Sequence, residues 1–198
     1  MLRRSLVLLA TLVVALAAVA SAEAAVIHIR VEGKTQTIFG GTEPRASASN
    51  ALEALQSTAQ AAEFYAHVTT TSFGPYVDQI GYYPAAGQTG WVFKVNGVSP
   101  PVGADQVQLK DGDRVLWYFA EFGAAGGPPT LDLRRTAPGC YRVVAQDDQG
   151  KETVPPGVVF HVGARKPVPA AAGRICPKGA HGLVWASAPG AVRSNRLP

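Results

Sequence analysis

Thiols and imidazoles are scarce in this 198-residue chain, which has two cysteines, Cys140 and Cys176, and four histidines, His28, His67, His161 and His181. None of the six lies at the ligand spacing of a zinc or related site, so no metal is expected. Catalytic signatures are missing too. There is no G-x-S-x-G elbow, and no Ser/His/Asp set can be assembled. The run Gly123 to Gly127 lacks the Lys-Ser/Thr of a phosphate loop. Asp111 and Asp113 lack the further oxygen ligands and distal glutamate of a calcium loop, so they read as turn residues. No enzymatic activity is expected.

Long hydrophobic runs are equally few. The uncharged stretch Leu6 to Ala20 follows Arg3 and Arg4 and ends in two small-x-small triplets, Ala20-Ser21-Ala22 and Ala22-Glu23-Ala24. A basic start, an apolar run of about fifteen residues and such a site describe a cleaved export signal over 1–24. A membrane anchor would need roughly 20 apolar residues. No cysteine follows the site, which argues against a lipoprotein, and no later stretch is long enough to span a bilayer. The product is expected to be secreted or cell-surface associated. In an exported chain an isolated cysteine pair reads as one disulfide, Cys140 with Cys176.

The formal net charge of +4 is unevenly spread. Residues 165–198 carry Arg165, Lys166, Arg174, Lys178, Arg193 and Arg196 and no acidic residue. These six are scattered among Pro, Gly and Ala without the interleaved aromatics of a base-stacking surface, so nucleic acid is not an expected partner. They read first as a solvated face, with attraction to an anionic cell-envelope component as the alternative.

Val26 to Glu32 alternates as a strand with one wet face, and Thr35 to Phe39 pairs back on it through Gly33-Lys34. A helix follows, capped by Asn50 with Glu53 in capping-box position and Leu52, Leu55 and Ala59 on its apolar face. Phe64 to Ser72 is strand-like, whereas Phe73 to Gly90 reads as a long loop. Trp91 to Val95 is a strand ending in Asn96-Gly97, the dipeptide of a type I′ turn. Val107 to Leu109 and Arg114 to Phe119 are strands around the Asp111-Gly112 turn. The run 123–129 is a Gly/Pro linker. Beyond it, Leu131 to Arg134, Cys140 to Ala145, Val158 to Val162 and Leu183 to Ala186 are short strands.

These elements imply an α+β fold: a β-grasp-like domain with one helix over 25–122, then a small all-β sandwich-like domain over 130–198.

The blocks Val26-Ile27-His28-Ile29-Arg30-Val31-Glu32-Gly33, Ala51-Leu52-Glu53-Ala54-Leu55, Gly90-Trp91-Val92-Phe93-Lys94-Val95-Asn96-Gly97 and Leu109-Lys110-Asp111-Gly112-Asp113-Arg114-Val115-Leu116-Trp117 carry a family resemblance. Over about Val26 to Phe119 the chain resembles the transcobalamin-like C-terminal domain family, a domain of unknown function frequent in bacterial exported proteins. Residues 182–194 are loosely similar to small prealbumin-like sandwiches. The first resemblance implies a β-grasp and a planar small-molecule ligand such as a corrinoid. The large helical barrel that completes the corrinoid cleft of the eukaryotic carriers has no counterpart here.

The aromatics divide. Trp91, Phe93, Trp117 and Phe119 are read as core residues of paired strands. Tyr76, Tyr82 and Tyr83 sit in the long loop, where amphipathic rings offer contact area. With Trp91 and the nearby Asn96 they form the expected ligand-binding set. The expected function is an exported, non-catalytic binding or interaction protein for a small molecule. The rival is a structural or adhesive envelope protein with no small-molecule ligand.

Overall fold

In β1 (Ala25–Glu32) the alternation read from sequence sends Ile27, Ile29 and Val31 to a fully buried face. At roughly 1.5–3 kcal/mol per buried aliphatic side chain, that face anchors the first half of the molecule. The computed structural model describes residues 23–124, 126–170, 172–179 and 181–198. The expected export signal, 1–24, lies outside the described residues apart from its last two positions.

β1 is edged on one side by two short antiparallel strands, β2 (Thr37–Phe39) and β3 (Arg45–Ala48). The helix α1 (Ala51–Ala61) comes next. Asn50 caps it by accepting from the Glu53 N–H at 2.8 Å. The Glu53 carboxylate reaches back to the Ser49 N–H at 2.9 Å, one residue beyond the N-cap that the expected capping box would have engaged. Hydrogen bonds from Ser49 hold that carboxyl below its ordinary pKa. Leu52, Leu55 and Ala59 are buried, as the periodicity required.

A separate three-stranded sheet follows: β4 (Ala66–Thr71), β5 (Gly74–Ile80) and β6 (Tyr83–Pro84). Then come β7 (Thr89–Val95) and β8 (Arg114–Glu121), which pair antiparallel. β8 also runs parallel to β1, which gives a sheet ordered β2-β1-β8-β7 with β7 at its edge.

The remaining strands are β9 (Thr130–Ala137), β10 (Cys140–Gln146), β11 (Glu152–Thr153), β12 (Val159–Val162), β13 (Val168–Pro169), β14 (Arg174–Ile175) and β15 (Val184–Ser187). They form two further sheets, one centred on β10 and one on β12. Leu131, Val143, Phe160 and Val184 meet between them in an apolar cluster of their own. Cys140 and Cys176 are bonded as expected, just beyond the Tyr141–Ile175 pair that joins β10 to β14.

Three expectations change. The fold is nearly all-β, with four sheets and a single helix among the described residues, instead of an α+β β-grasp followed by a sandwich. The single helix stands as expected, but it is 11 residues long, and strands carry the architecture on both sides of it. Residues 73–90 are mostly strand, not a long loop. In β5 only Val77 and Ile80 are buried, and a register shift at His67/Val68 breaks the alternation that would have marked the hairpin. Finally, the wet face of β1 is confined to its first half, at Val26 and His28. Arg30 and Glu32 are 2% and 0% exposed because the C-terminal segment covers them.

That cover is ionic. The Arg193 guanidinium lies 2.9 Å from the Glu32 carboxylate, and Arg30 donates to the Arg193 carbonyl at 2.6 Å. Arg114 pairs with Glu43 at 2.8 Å and with Asp132 at 2.8 Å. Lys94, with no exposed surface, donates to Thr130 Oγ1 and to the carbonyls of Gln146 and Asp147. Among the described residues no helix is long and apolar enough to cross a membrane.

Candidate functional site

Edge strands end where the next partner is missing, and at β7 that gap is a groove of about 400 Å³. Its walls come from four places. Trp91, Val92 and Phe93 of β7 and Trp117 and Tyr118 of β8 form the floor. Pro75, Tyr76 and Val77 of β5 stand on one side. The loop from Ser99 to Ala104 and the turn at Asp148 and Gln149 close the other, and Phe122 sits at the rim.

The rings are locked as pairs. Trp91 meets Phe119 edge-on at 5.5 Å, and Phe93 stacks on Trp117 at 5.0 Å. Both indole N–H groups are already used: Trp91 Nε1 donates to the Tyr83 carbonyl at 2.8 Å and Trp117 Nε1 to the Ala51 carbonyl at 3.1 Å. These indoles therefore offer the groove ring surface but no side-chain donor.

The polar end is built across the two halves of the chain. The Ser99 N–H donates to the Asp148 carbonyl at 2.8 Å, and Ser99 Oγ donates to Asp148 Oδ1 at 3.0 Å. Burial pushes the Tyr118 phenol above its ordinary pKa, reinforced by the Asp148 charge and partly offset by a hydrogen bond with Ser99. No lysine, arginine or histidine lines the groove, and Asp148 is the one carboxylate that does. The site is apolar, ring-rich and negative at one end.

The expected ligand-binding residues scatter. Tyr76, 40% exposed, and Trp91 line the groove. Tyr82, 91% exposed, lines a different hollow of about 440 Å³ with Tyr83, Phe64 and Tyr65. Tyr83 acts as scaffold: its ring packs on Trp91 and Phe119, and its hydroxyl pairs with Thr35 at 2.7 Å. Asn96 is a turn residue. Its side chain donates to Asp113 and accepts from the Arg114 N–H, while its φ of 52° and that of Gly97, 84°, make the expected tight turn. Ser99, Tyr118, Phe122 and Asp148 were not anticipated. The Asp147 to Gly150 segment carries only a turn signal, and no local pattern places it beside Ser99.

His161 Nε2 lies 3.0 Å from Ser187 Oγ, away from the groove lining. His67 and Asp78 pair at 2.6 Å on an exposed hairpin face, away from the groove lining. No group of three metal-ligating side chains converges among the described residues.

Residues 48–121 match the family model described as Domain of unknown function (DUF4430). The matched stretch runs from the end of β3 to the end of β8. It contains the β5, β7, β8 and Ser99–Ala104 walls, whereas Phe122, Asp148 and Gln149 lie beyond it. The match supports a domain of unknown function over those residues and does not extend to the finer transcobalamin-like resemblance. No curated protein matches the chain. Among solved structures, a "putative metal binding protein" from Ruminococcus gnavus ATCC 29149 is similar at 20% identity and a TM-score of 0.38, over 49% of this chain and 97% of that one. So low a score carries neither fold nor ligand over to this chain.

Proposed function

We propose that this is an exported, non-catalytic binding protein whose site is the groove along β7. The observation that carries the reading is the lining itself. Rings from Tyr76, Trp91, Phe93, Trp117 and Phe122 surround about 400 Å³ of space, with the Asp148 carboxylate and the Ser99 and Tyr118 hydroxyls at a single end. Ligand sites are typically concave, largely apolar and fitted with a few convergent polar groups, in volumes of roughly 300–1,000 Å³. At the small end of that range the groove suits an apolar or aromatic group, and a corrinoid, larger than a drug-sized ligand, would lay only an edge into it. The disulfide supports an oxidising compartment, in keeping with the export signal read at 1–24.

The envelope-adhesion alternative is weakened by the use of Arg193 and Arg196 inside the fold. Arg193 pairs with Glu32, and Arg196 stacks over Trp185 and donates to Thr37.

The neutral fluorescent probe N-phenyl-1-naphthylamine tests the groove. Its emission should rise on mixing with the protein, and Tyr76→Ala together with Phe122→Ala should abolish the rise while leaving the thermal midpoint close to wild type. No enhancement, or enhancement untouched by the two substitutions, would refute the reading. Cobalamin in a parallel titration, followed by tryptophan quenching, decides whether a corrinoid is accepted at all.

A further inference from the structure

We infer that the groove receives an extended peptide, which adds to β7 as a further strand with a basic residue near Asp148; this rests on the groove being the binding site. Consecutive residues of a strand point to opposite faces, yet Trp91, Val92 and Phe93 all line the same groove. A hollow that touches three in a row meets the strand at its edge, where the backbone is presented.

The ladder shows which backbone groups are presented. β7 pairs with β8 at Gly90↔Ala120, Val92↔Tyr118 and Lys94↔Leu116. The Asn96 N–H donates to the Arg114 carbonyl and the Phe122 N–H to the Gln88 carbonyl, which fixes the even-numbered residues as those bonded toward β8. The N–H and C=O of Thr89, Trp91, Phe93 and Val95 therefore point outward. Thr89 is satisfied by Ala86, and Val95 by Val98 across the turn. Trp91 and Phe93 make no backbone hydrogen bond on that side among the described residues. They leave two donors and two acceptors, two residues apart, facing an apolar groove.

Folded proteins guard such edges with charge, proline or a bulge. β7 contains no proline and its register with β8 is unbroken. Its one charge, Lys94, is buried and directed at the carbonyls of Gln146 and Asp147. An unguarded edge closed locally at both ends and walled by rings fits strand addition, with main-chain bonds supplying affinity and alternate side chains supplying specificity. Asp148 sets the charge preference: it is the one carboxylate of the lining and is partly exposed, and its cationic neighbour, the buried Lys94 ammonium 3.9 Å away, is already held by three other oxygens.

The test uses the chain after removal of residues 1–24 and the probe acetyl-Val-Phe-Val-Lys-Val-amide, with two analogues N-methylated at alternate residues in opposite phase. Strand addition predicts that the parent binds and slows hydrogen exchange at the Trp91 and Phe93 amides. It also predicts that one methylation phase weakens binding by about tenfold or more while the other changes it little. Asp148→Asn should weaken the parent by about threefold and leave a Lys-to-norleucine version of the probe unaffected. Equal affinity of both analogues, or no peptide binding up to millimolar concentration, would overturn the inference. If N-phenyl-1-naphthylamine still binds in that case, the groove reading survives; if it does not, both fall together.

Discussion

The ammonium of Lys94 donates to the backbone carbonyl of Asp147 at 2.7 Å, joining the edge strand β7 to the turn that closes the polar end of the groove. Two further acceptors, Thr130 Oγ1 at 3.2 Å and the Gln146 carbonyl at 3.0 Å, complete its shell. A buried cation held by three oxygens, two of them main-chain, positions Asp148 through the backbone and adds a longer ion pair to its carboxylate. The Lys94 Nζ to Asp148 Oδ1 separation is 3.9 Å.

Truncating Lys94 should therefore cost more than its charge alone. Lys94→Ala strands three acceptors beside a void and is expected to lower unfolding stability by about 3 kcal/mol. Lys94→Met fills the space and removes the desolvated charge, so its loss should be less than half as large. Urea unfolding followed by circular dichroism measures both.

Asp132 sits between two guanidiniums, Arg114 at 2.8 Å and Arg134 at 2.7 Å. Burial acts to raise its carboxyl pKa, but the two arginines outweigh it and hold the value below the ordinary range. A lowered carboxylate pKa gives stability that is present above the unfolded value, about 3.9, and is lost as pH falls through the folded value. Asp132→Asn should cost about 1–2 kcal/mol at pH 7, because both arginines are partly exposed. It should also flatten the pH dependence of stability below about pH 4. Paired unfolding curves between pH 2 and 7 check both outcomes.

Tyr118 makes the opposite prediction at alkaline pH. Its raised phenol pKa means that its share of stability is complete below the unfolded value of about 10 and declines as pH rises toward the folded value. The stability difference between wild type and Tyr118→Phe should shrink above pH 10, by up to about 1.4 kcal/mol per pH unit. Working with the difference cancels Lys94, whose pKa is lowered by burial and whose contribution instead grows with pH below about 10.5.

The bond between Cys140 and Cys176 closes a loop with a sequence separation of 36. Cys140→Ser with Cys176→Ser should lower stability by roughly 3–4 kcal/mol on chain-entropy grounds. The loss should fall on residues 130–198, with tryptophan emission from Trp185 reporting unfolding at lower denaturant than emission from Trp91 and Trp117.

Strands rich in β-branched and aromatic residues were readable: β1 through its alternation and β7, β8 and β10 as short apolar runs, and the Asn50 cap starts α1 where expected. The signal failed where packing decides. β3, Arg-Ala-Ser-Ala, has no β-branched residue and is held by β1. β5 buries only Val77 and Ile80. The polar side of β1 looked solvated because Arg193, which buries it, arrives from 161 residues away. The same holds for the groove. Its aromatic floor was visible as Trp91, Phe93 and Trp117, but Asp148 meets Ser99 only through the fold. Tyr82 and Asn96 attracted attention through loop position and turn chemistry, and neither lines the groove.

Amide shift mapping of the isotope-labelled protein against N-phenyl-1-naphthylamine addresses the central claim most directly. A binding site along β7 predicts saturable shifts concentrated at Tyr76, Trp91, Phe93, Ser99, Tyr118 and Phe122, with β12 and β15 silent. Shifts confined to the Tyr65 and Tyr82 hollow, or spread evenly over the surface without saturation, would contradict it.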